Sequence, residues 1–348
     1  MKEISDILKK GVEDGHFPGA GYAIIYQDGR VDYDYVGYKQ LYPDKILNNG
    51  QEIYDCASLT KVISTTTMIM KLIEEGKLTL ETKISSVLPR FKHHEITIYH
   101  LMTHSSGLPA DISRAKELKD KNEVLNRIFE YDLIYNTGEK VVYSDIGYIL
   151  LGLIIEKLTN KTLAEYAEIV IFKPLGMNDT SYFPDRERSA PTEYRDDSVF
   201  QGWLKGKVHD EKAYALNGLA GHAGMFSTPI DIGKFILSIL RNDEKILKKE
   251  SVNLLFPLRI EDRTNLDNIL VRSIGWNKPT KGGTAGDYCN FEQTILHTGF
   301  TGCNVWIDRA HEIGFVMLSN AVHPKRSDNR IIRYRNIIGN LILSSKEG

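Results

Sequence analysis

The sequence predicts an α+β fold: one antiparallel sheet, flanked by helices and built from both ends of the chain, with a mostly helical domain inserted between them. Three observations lead there. β-type runs fall at residues 21–26 and 31–36, near the start. Three more fall at 294–297, 304–307 and 313–318, near the end, separated by turns that bear glycine or charge. Between the two groups the apolar spacing is mostly that of helices. The expected division is a sheet domain of residues 1–92 and 268–348 and a helical domain of residues 93–267, with the functional site at their interface.

In chain order, residues 3–15 place Ile4, Ile7, Leu8 and Val12 on one helical face. Asp28-Gly29 between the first two β runs suits a tight hairpin turn. Residues 59–75 read as a helix stopped by Gly76, a good residue just past a helix end. A short helix over 98–103, with Thr97 as its cap, stops before Gly107-Leu108-Pro109. Residues 145–158 and 162–171 form a helical pair joined by Thr159-Asn160-Lys161. Residues 182–217 are rich in glycine, proline and charge, and are expected to loop over a surface. Thr228-Pro229-Ile230-Asp231 opens another helix with a cap, a proline at its first position and an acid in its first turn. A last amphipathic helix is expected over 329–343. There is no internal repeat and no long linker.

With 348 residues, 42% hydrophobic and 26% charged, the chain has ordinary globular composition and buries a core without covalent staples. A formal net charge of −2 supplies no field for nucleic acid or an anionic membrane. The longest run free of strongly polar side chains, 146–155, is about half a bilayer span. The start, Met1-Lys2-Glu3-Ile4-Ser5-Asp6, is charged and lacks the apolar stretch of a signal peptide. Cys56, Cys289 and Cys303 show no Cys-x-x-Cys spacing, which suits reduced thiols. The expectation is a cytoplasmic protein, a monomer, whose partner is a small molecule or short peptide.

Three segments carry candidate chemistry. In Cys56-Ala57-Ser58-Leu59-Thr60-Lys61, a helix starting near Ser58 puts Ser58 and Lys61 one turn apart on one face. A serine hydroxyl needs a neighbour to take its proton, and a partly desolvated lysine can do so. The helix start adds free N–H groups suited to an oxyanion. Ser113-Arg114-Ala115-Lys116 has the same spacing, but no apolar helix follows it. Tyr143-Ser144-Asp145 precedes an apolar helix, where a phenol can relay protons. His297-Thr298-Gly299-Phe300 ends an apolar strand, where the glycine lets a substrate approach the backbone. Taken singly, each also fits a plain role: a capping serine with a solvated lysine, a half-buried tyrosine, a strand end and its turn.

Together, Ser-x-x-Lys, Tyr-x-Asp and His-Thr-Gly follow one another in the order and rough spacing of the serine β-lactamase and penicillin-binding D,D-peptidase superfamily. The sequence resembles in particular the class C β-lactamases and the related esterases and D-aminopeptidases. The stretches Leu101-Met-Thr-His-Ser-Ser-Gly-Leu-Pro109, Lys173-Pro-Leu-Gly-Met-Asn-Asp-Thr180 and Ala220-Gly-His-Ala-Gly-Met-Phe-Ser-Thr228 are similar to that family too, so the resemblance runs from about residue 10 to 340. It implies a β-lactamase/transpeptidase-like fold and a serine hydrolase that works through an acyl-enzyme on ester, amide or β-lactam carbonyls, with no cofactor and no metal. Ser58 would be the acylated nucleophile, Lys61 would assist its deprotonation, and Tyr143 would serve as base and relay. His297, Thr298 and Gly299 would form the opposite wall, with the N–H groups of Ser58 and Phe300 as oxyanion hole. A sensor that binds or acylates without turnover is the rival, and it shares these residues.

Two positions depart from the lactamase pattern: Asp145 stands where Asn is usual, and His297 where Lys is usual. The carboxylate should hold Lys61 as an ammonium and shift the burden of base to Tyr143. A neutral His297 removes a fixed charge for a substrate carboxylate, so small neutral esters are expected to outperform penicillins and cephalosporins, with carboxylate affinity improving toward mildly acidic pH. His100 and His104 have the spacing of a zinc pair, but Leu101 stands where a metalloprotease needs Glu. No serine sits in Gly-x-Ser-x-Gly, and Gly218, Gly221 and Gly224 do not make a dinucleotide fingerprint. Cys56, before the helix, is expected to be buried and inert.

Overall fold

Six strands pair antiparallel in the spatial order Thr294–Thr298, Asn304–Asp308, Ile313–Ser319, Gly19–Tyr26, Val31–Gln40, Ile46–Leu47. The structure, a computed structural model, describes residues 2–265 and 269–345. The N-terminal strand lies directly against the last one, with Ala23 opposite Val316. The first hairpin closes at Asp28-Gly29. Gly29 takes φ 103°, which favours glycine, and Asp28 Oδ1 accepts from the Arg30 N–H at 2.7 Å.

Period-two alternation decides what each sheet face buries. Tyr22, Ile24, Trp306, Phe315 and Met317 pack with Ile4 and Leu8 of the helix Lys2–Glu13 and with Ile338 and Ile342 of the helix Ile332–Ser344. Ala23, Ile25, Val305, Ile307, Val316 and Leu318 point the other way, into a cluster with Ile232, Phe235 and Ile236 of the helix Pro229–Arg241. That second cluster continues without a break through Ile63 and Met68 to Ile149 and Ile154. The sheet and the helical region therefore share one core. The domain boundary expected at 267/268 falls outside the described residues.

The helix Asp145–Thr159 is apolar nearly all round, and so it is buried. Ser144 caps it, with Oγ accepting from the Gly147 N–H at 3.3 Å, and Asn160 ends it at φ 54°. One loop comes unusually close to it: a Cβ on Gly221 would stand 2.1 Å from the Tyr148 carbonyl oxygen. Only glycine allows that approach, which brings residues 221–222 over the candidate site.

Four expectations need adjusting. The helix expected over 59–75 begins with a wider i→i+5 turn, Lys61–Thr66, before Thr67–Glu74. There Ser64 meets the Tyr182 hydroxyl at 2.8 Å and Thr65 donates to Gly221 O at 2.6 Å, so these hydroxyls bond to other segments. The helix expected over 162–171 likewise widens at Glu168–Phe172. The last helix starts at Ile332, because Asn329 instead bonds Phe300 O (3.1 Å) and the Ile331 N–H (3.3 Å). Residues 182–217 are no mere surface loop. They hold a hairpin, Tyr194–Asp196 with Gln201–Trp203, and a short helix, Glu211–Ala215, and they bury Arg195, His209 and Lys212.

Candidate active site

A short strand, Tyr54–Asp55, pairs with Phe226–Ser227 and delivers the chain to Ser58. Asp55 Oδ1 accepts from the Ala57 N–H at 2.8 Å, and Ala57 takes φ 46°, a left-handed conformation costly for a residue with a Cβ. Helical bonding begins at once, with the Lys61 N–H donating to Ser58 O at 3.1 Å. Ser58 thus sits in the first turn with its side chain one turn below Lys61. Gly299, at the end of the strand Thr294–Thr298, lies against this bend: a Cβ there would stand 2.7 Å from Cys56 O. Among the described residues neither the Ser58 nor the Phe300 N–H donates a hydrogen bond, and Ser58 and Phe300 line one cleft of about 810 Å³.

Lys61 is fully buried and its Nζ donates to Ser58 Oγ (3.0 Å) and to His222 O (3.1 Å). Asp145 Oδ1 stands 2.7 Å from the same nitrogen and forms an ion pair with it. Burial alone would push the Lys61 ammonium down, but the Asp145 and Tyr143 interactions outweigh it and hold it above its ordinary value. Burial likewise opposes the Asp145 anion, yet Lys61, His222 and Lys212 keep its carboxyl below the usual range. At neutral pH the pair is ammonium and carboxylate, as Asp145 in place of Asn led us to expect.

Tyr143 stands with its ring 4.8 Å from Lys61 Nζ, between the rings of His104 (4.6 Å) and His297 (5.9 Å). His104 places it. With φ 57°, His104 accepts the Ser144 N–H on Nδ1 at 3.0 Å and takes the Val142 N–H on its carbonyl at 2.8 Å, gripping both sides of the tyrosine. His100 is occupied elsewhere, completing the cap of its own helix with Thr97. The two histidines therefore do not converge as metal ligands. Ser113 and Lys116 are exposed and do not line the cleft that holds Ser58. Cys56 is buried, and burial pushes its thiol well above the ordinary range.

His297 Nδ1 lies 2.9 Å from Thr298 O. Its Nε2 and that of His104 are buried without a partner. Burial, with Arg272 and Lys61 nearby, pushes the His297 imidazole well below its ordinary value. It is neutral at pH 7, but the expected recovery of charge in mild acid does not hold, because the group titrates lower.

A second premise also fails: the cleft does have a cationic wall. Arg272, Lys278 and Arg335 line it, and no carboxylate pairs with them among the described residues. Arg272 donates to Gly275 O at 3.2 Å and to Asn277, leaving Nε unpartnered, and its Cζ is 5.9 Å from the Tyr143 ring. Lys278 donates to Glu292 O (2.8 Å) and Thr294 O (2.7 Å), and burial brings its ammonium down to about 8. Arg335 donates to Cys303 O at 2.9 Å, and burial brings it down to about 10.

The opposite side holds a network that sequence reasoning missed. Lys212 Nζ lies 2.9 Å from Asp111, 2.9 Å from Asp210 and 3.2 Å from Asp145 Oδ2. Asp210 Oδ1 meets His222 Nε2 at 2.7 Å, and His222 presents its carbonyl to Lys61. Asp145, Asp210 and His222 bring ligand-type atoms within 4.8 Å of one another. The ammonium groups of Lys61 and Lys212 already supply positive charge there. The one signal for this network was the acid-led start of a helix at Asp210-Glu211-Lys212, obscured by the loop-like composition around it.

Comparison with known proteins gives the family and the fold. The sequence matches the Beta-lactamase family over residues 4–339. It is 30% identical to the N-acetylmuramyl-L-alanine amidase of Bacillus subtilis (strain 168), covering 93% of this chain and 81% of that one. It is 32% identical to an Escherichia coli (strain K12) protein that bears the name of a D-alanyl-D-alanine carboxypeptidase, covering 79% and 70%. The octameric penicillin-binding protein homologue from Pyrococcus abyssi superposes with a TM-score of 0.77 over 98% of this chain and 77% of that one, at 23% identity, a likeness of fold. No helix among the described residues is long and apolar enough to cross a membrane.

Proposed function

Because the chain belongs to the Beta-lactamase family and is a serine hydrolase, we propose that Ser58 is its nucleophile and that it cleaves amide bonds in short peptides whose leaving portion carries a carboxylate. The observation that carries this reading is the Ser58–Lys61 contact of 3.0 Å in a cleft whose far wall holds cations without carboxylate partners. The amidase and carboxypeptidase names of the two relatives point to amide bonds as well.

In the resting state Lys61 is a donor to Ser58 Oγ, so it cannot accept the hydroxyl proton. The reactive form is the one in which the Lys61–Tyr143 pair has released a proton. Ser58 Oγ then attacks the carbonyl carbon while its proton passes to that pair. The Ser58 and Phe300 N–H groups receive the oxyanion. The pair returns the proton to the departing amine, and water attacks the acyl-enzyme by the same route. Arg272, which lines the cleft without a carboxylate partner, supplies the positive charge for the leaving portion's carboxylate.

The test compares an N-acyl-D-alanyl-D-alanine probe with its C-terminal amide, alongside intact-mass measurement of the protein. We expect turnover, an adduct on Ser58 alone, and kcat/KM at least tenfold higher for the acid. Equal rates for acid and amide would overturn the carboxylate assignment. A stoichiometric adduct without turnover would establish the sensor reading instead.

A further inference from the structure

We propose that Lys212 is a positioning residue that sets the protonation of the Lys61–Tyr143 pair through the shared carboxylate of Asp145. This rests on the reading of Ser58 as nucleophile and extends it to a residue outside all three motifs.

The geometry is a bridge. One oxygen of Asp145 faces Lys61 at 2.7 Å and the other faces Lys212 at 3.2 Å, with both lysines almost wholly buried. If Asp145 faced Lys61 alone, its full charge would fall on one ammonium and that lysine would hold its proton tightly. Lys212 adds a like charge on the far side of the shared carboxylate, which offsets part of its pull on Lys61 and makes a proton easier to remove from the pair. Lys212 is itself locked in the charged state: burial works against it, but Asp210, Asp145 and Asp111 together raise it. It therefore acts as a constant charge.

Every charged or titratable group around Lys61 has a place in this balance. Tyr143 and Asp145 come from the start of the helix Asp145–Thr159, and Tyr148 from its next turn, its ring 5.8 Å from Lys61 Nζ. His104 comes from the turn that grips Tyr143, Arg272 from the strand Leu270–Arg272, and His297 from the strand Thr294–Thr298. His222 offers its carbonyl, and Asp210 links its ring to Lys212. Asp111 closes the far side of Lys212 and is more exposed, with 56% of its side chain accessible. It offers a lever of the opposite sign.

The experiment uses a fluorophosphonate, which acylation-type chemistry at Ser58 consumes whatever the natural substrate. Its labelling rate on the full chain is followed from pH 6 to 12, because the Lys61 ammonium is held above its ordinary value. Wild type should rise with pH to a plateau. Lys212→Met should shift that rise upward by about one pH unit or more. Lys212→Arg should restore the wild-type position, and Asp111→Asn should shift the rise downward by a smaller amount. Two results would overturn the inference: a Lys212→Met protein that labels more slowly at every pH with an unmoved rise, or Lys212→Arg and Lys212→Met behaving alike. Wild-type protein that gains no adduct at Ser58 would instead remove the nucleophile assignment. The Asp111→Asn arm keeps the test open should Lys212→Met not fold, since an upward shift there, or none, would contradict the bridge.

Discussion

The two walls of the cleft treat charge in opposite ways. On the wall formed by the helix starts, Lys61 and Lys212 are matched with Asp145, Asp210 and Asp111 at distances of 2.7–3.2 Å. Elsewhere around the cleft, Arg272, Lys278 and Arg335 meet backbone carbonyls and an amide side chain, and burial lowers all three. A matched network has little left to offer a ligand, but it can hold a proton at a defined energy. An unmatched buried cation is costly to the fold, and an incoming carboxylate relieves that cost. The difference assigns chemistry to one wall and recognition to the other.

The sharpest way to break that division is to remove the groups on the chemical wall. Ser58→Ala should abolish adduct formation and lower turnover by at least a thousandfold, with Ser113→Ala indistinguishable from wild type. Lys61→Ala and Tyr143→Phe should each slow acylation by on the order of a hundredfold, with unchanged circular dichroism. A well-folded Tyr143→Phe that labels at the wild-type rate would reduce the tyrosine to packing. On the other wall, Arg272→Met should raise KM for the acid probe about tenfold and leave KM for the amide probe little changed. A uniform loss on both probes would make Arg272 a structural residue.

The smallest effect concerns stability. His104 and His297 are both held well below their ordinary value by burial. Below about pH 6.5 the unfolded chain therefore binds protons that the folded one refuses, and stability falls as pH drops, by about 1.4 kcal/mol per pH unit per group. Thermal unfolding between pH 7 and 5 should show this fall, and His297→Asn should make it shallower. A melting temperature flat across that range would contradict the burial of both rings.

How much of this was legible in the sequence follows from the range of each signal. Period-two alternation and the caps at Thr97, Thr162 and Thr228 are local, so the strands and most helix starts could be read directly. Ser58 and Lys61 lie within one turn, and Asp145 announced itself by standing where Asn is usual. Arg272 and Lys212 had no such signal. Nothing about a lone arginine before Ser273-Ile274-Gly275 says that it will be buried without an acid, since that depends on Tyr143 and His297 arriving from distant segments. Lys212 was hidden by composition: glycine, proline and charge usually mean a surface, and here the three carboxylates that bury it come from three separate stretches. The wide turn at Lys61–Thr66 was equally invisible, because the hydroxyls that bond away from it find their partners at Tyr182 and Gly221.

The pairing of the first long strand with the last has a consequence for the timing of synthesis. Gly19–Tyr26 leaves the ribosome long before its sheet neighbour Ile313–Ser319. The helical middle can begin to collapse while the chain is still growing, because all of its segments precede the closing strands. The sheet cannot, and Phe300 and Arg335 are not yet present to complete the cleft around Ser58. Until residues 294–335 are made, then, Ser58 lacks part of the cleft that surrounds it. A ribosome-stalled chain ending before residue 294 should resist fluorophosphonate labelling, and the same chain completed and released should accept it.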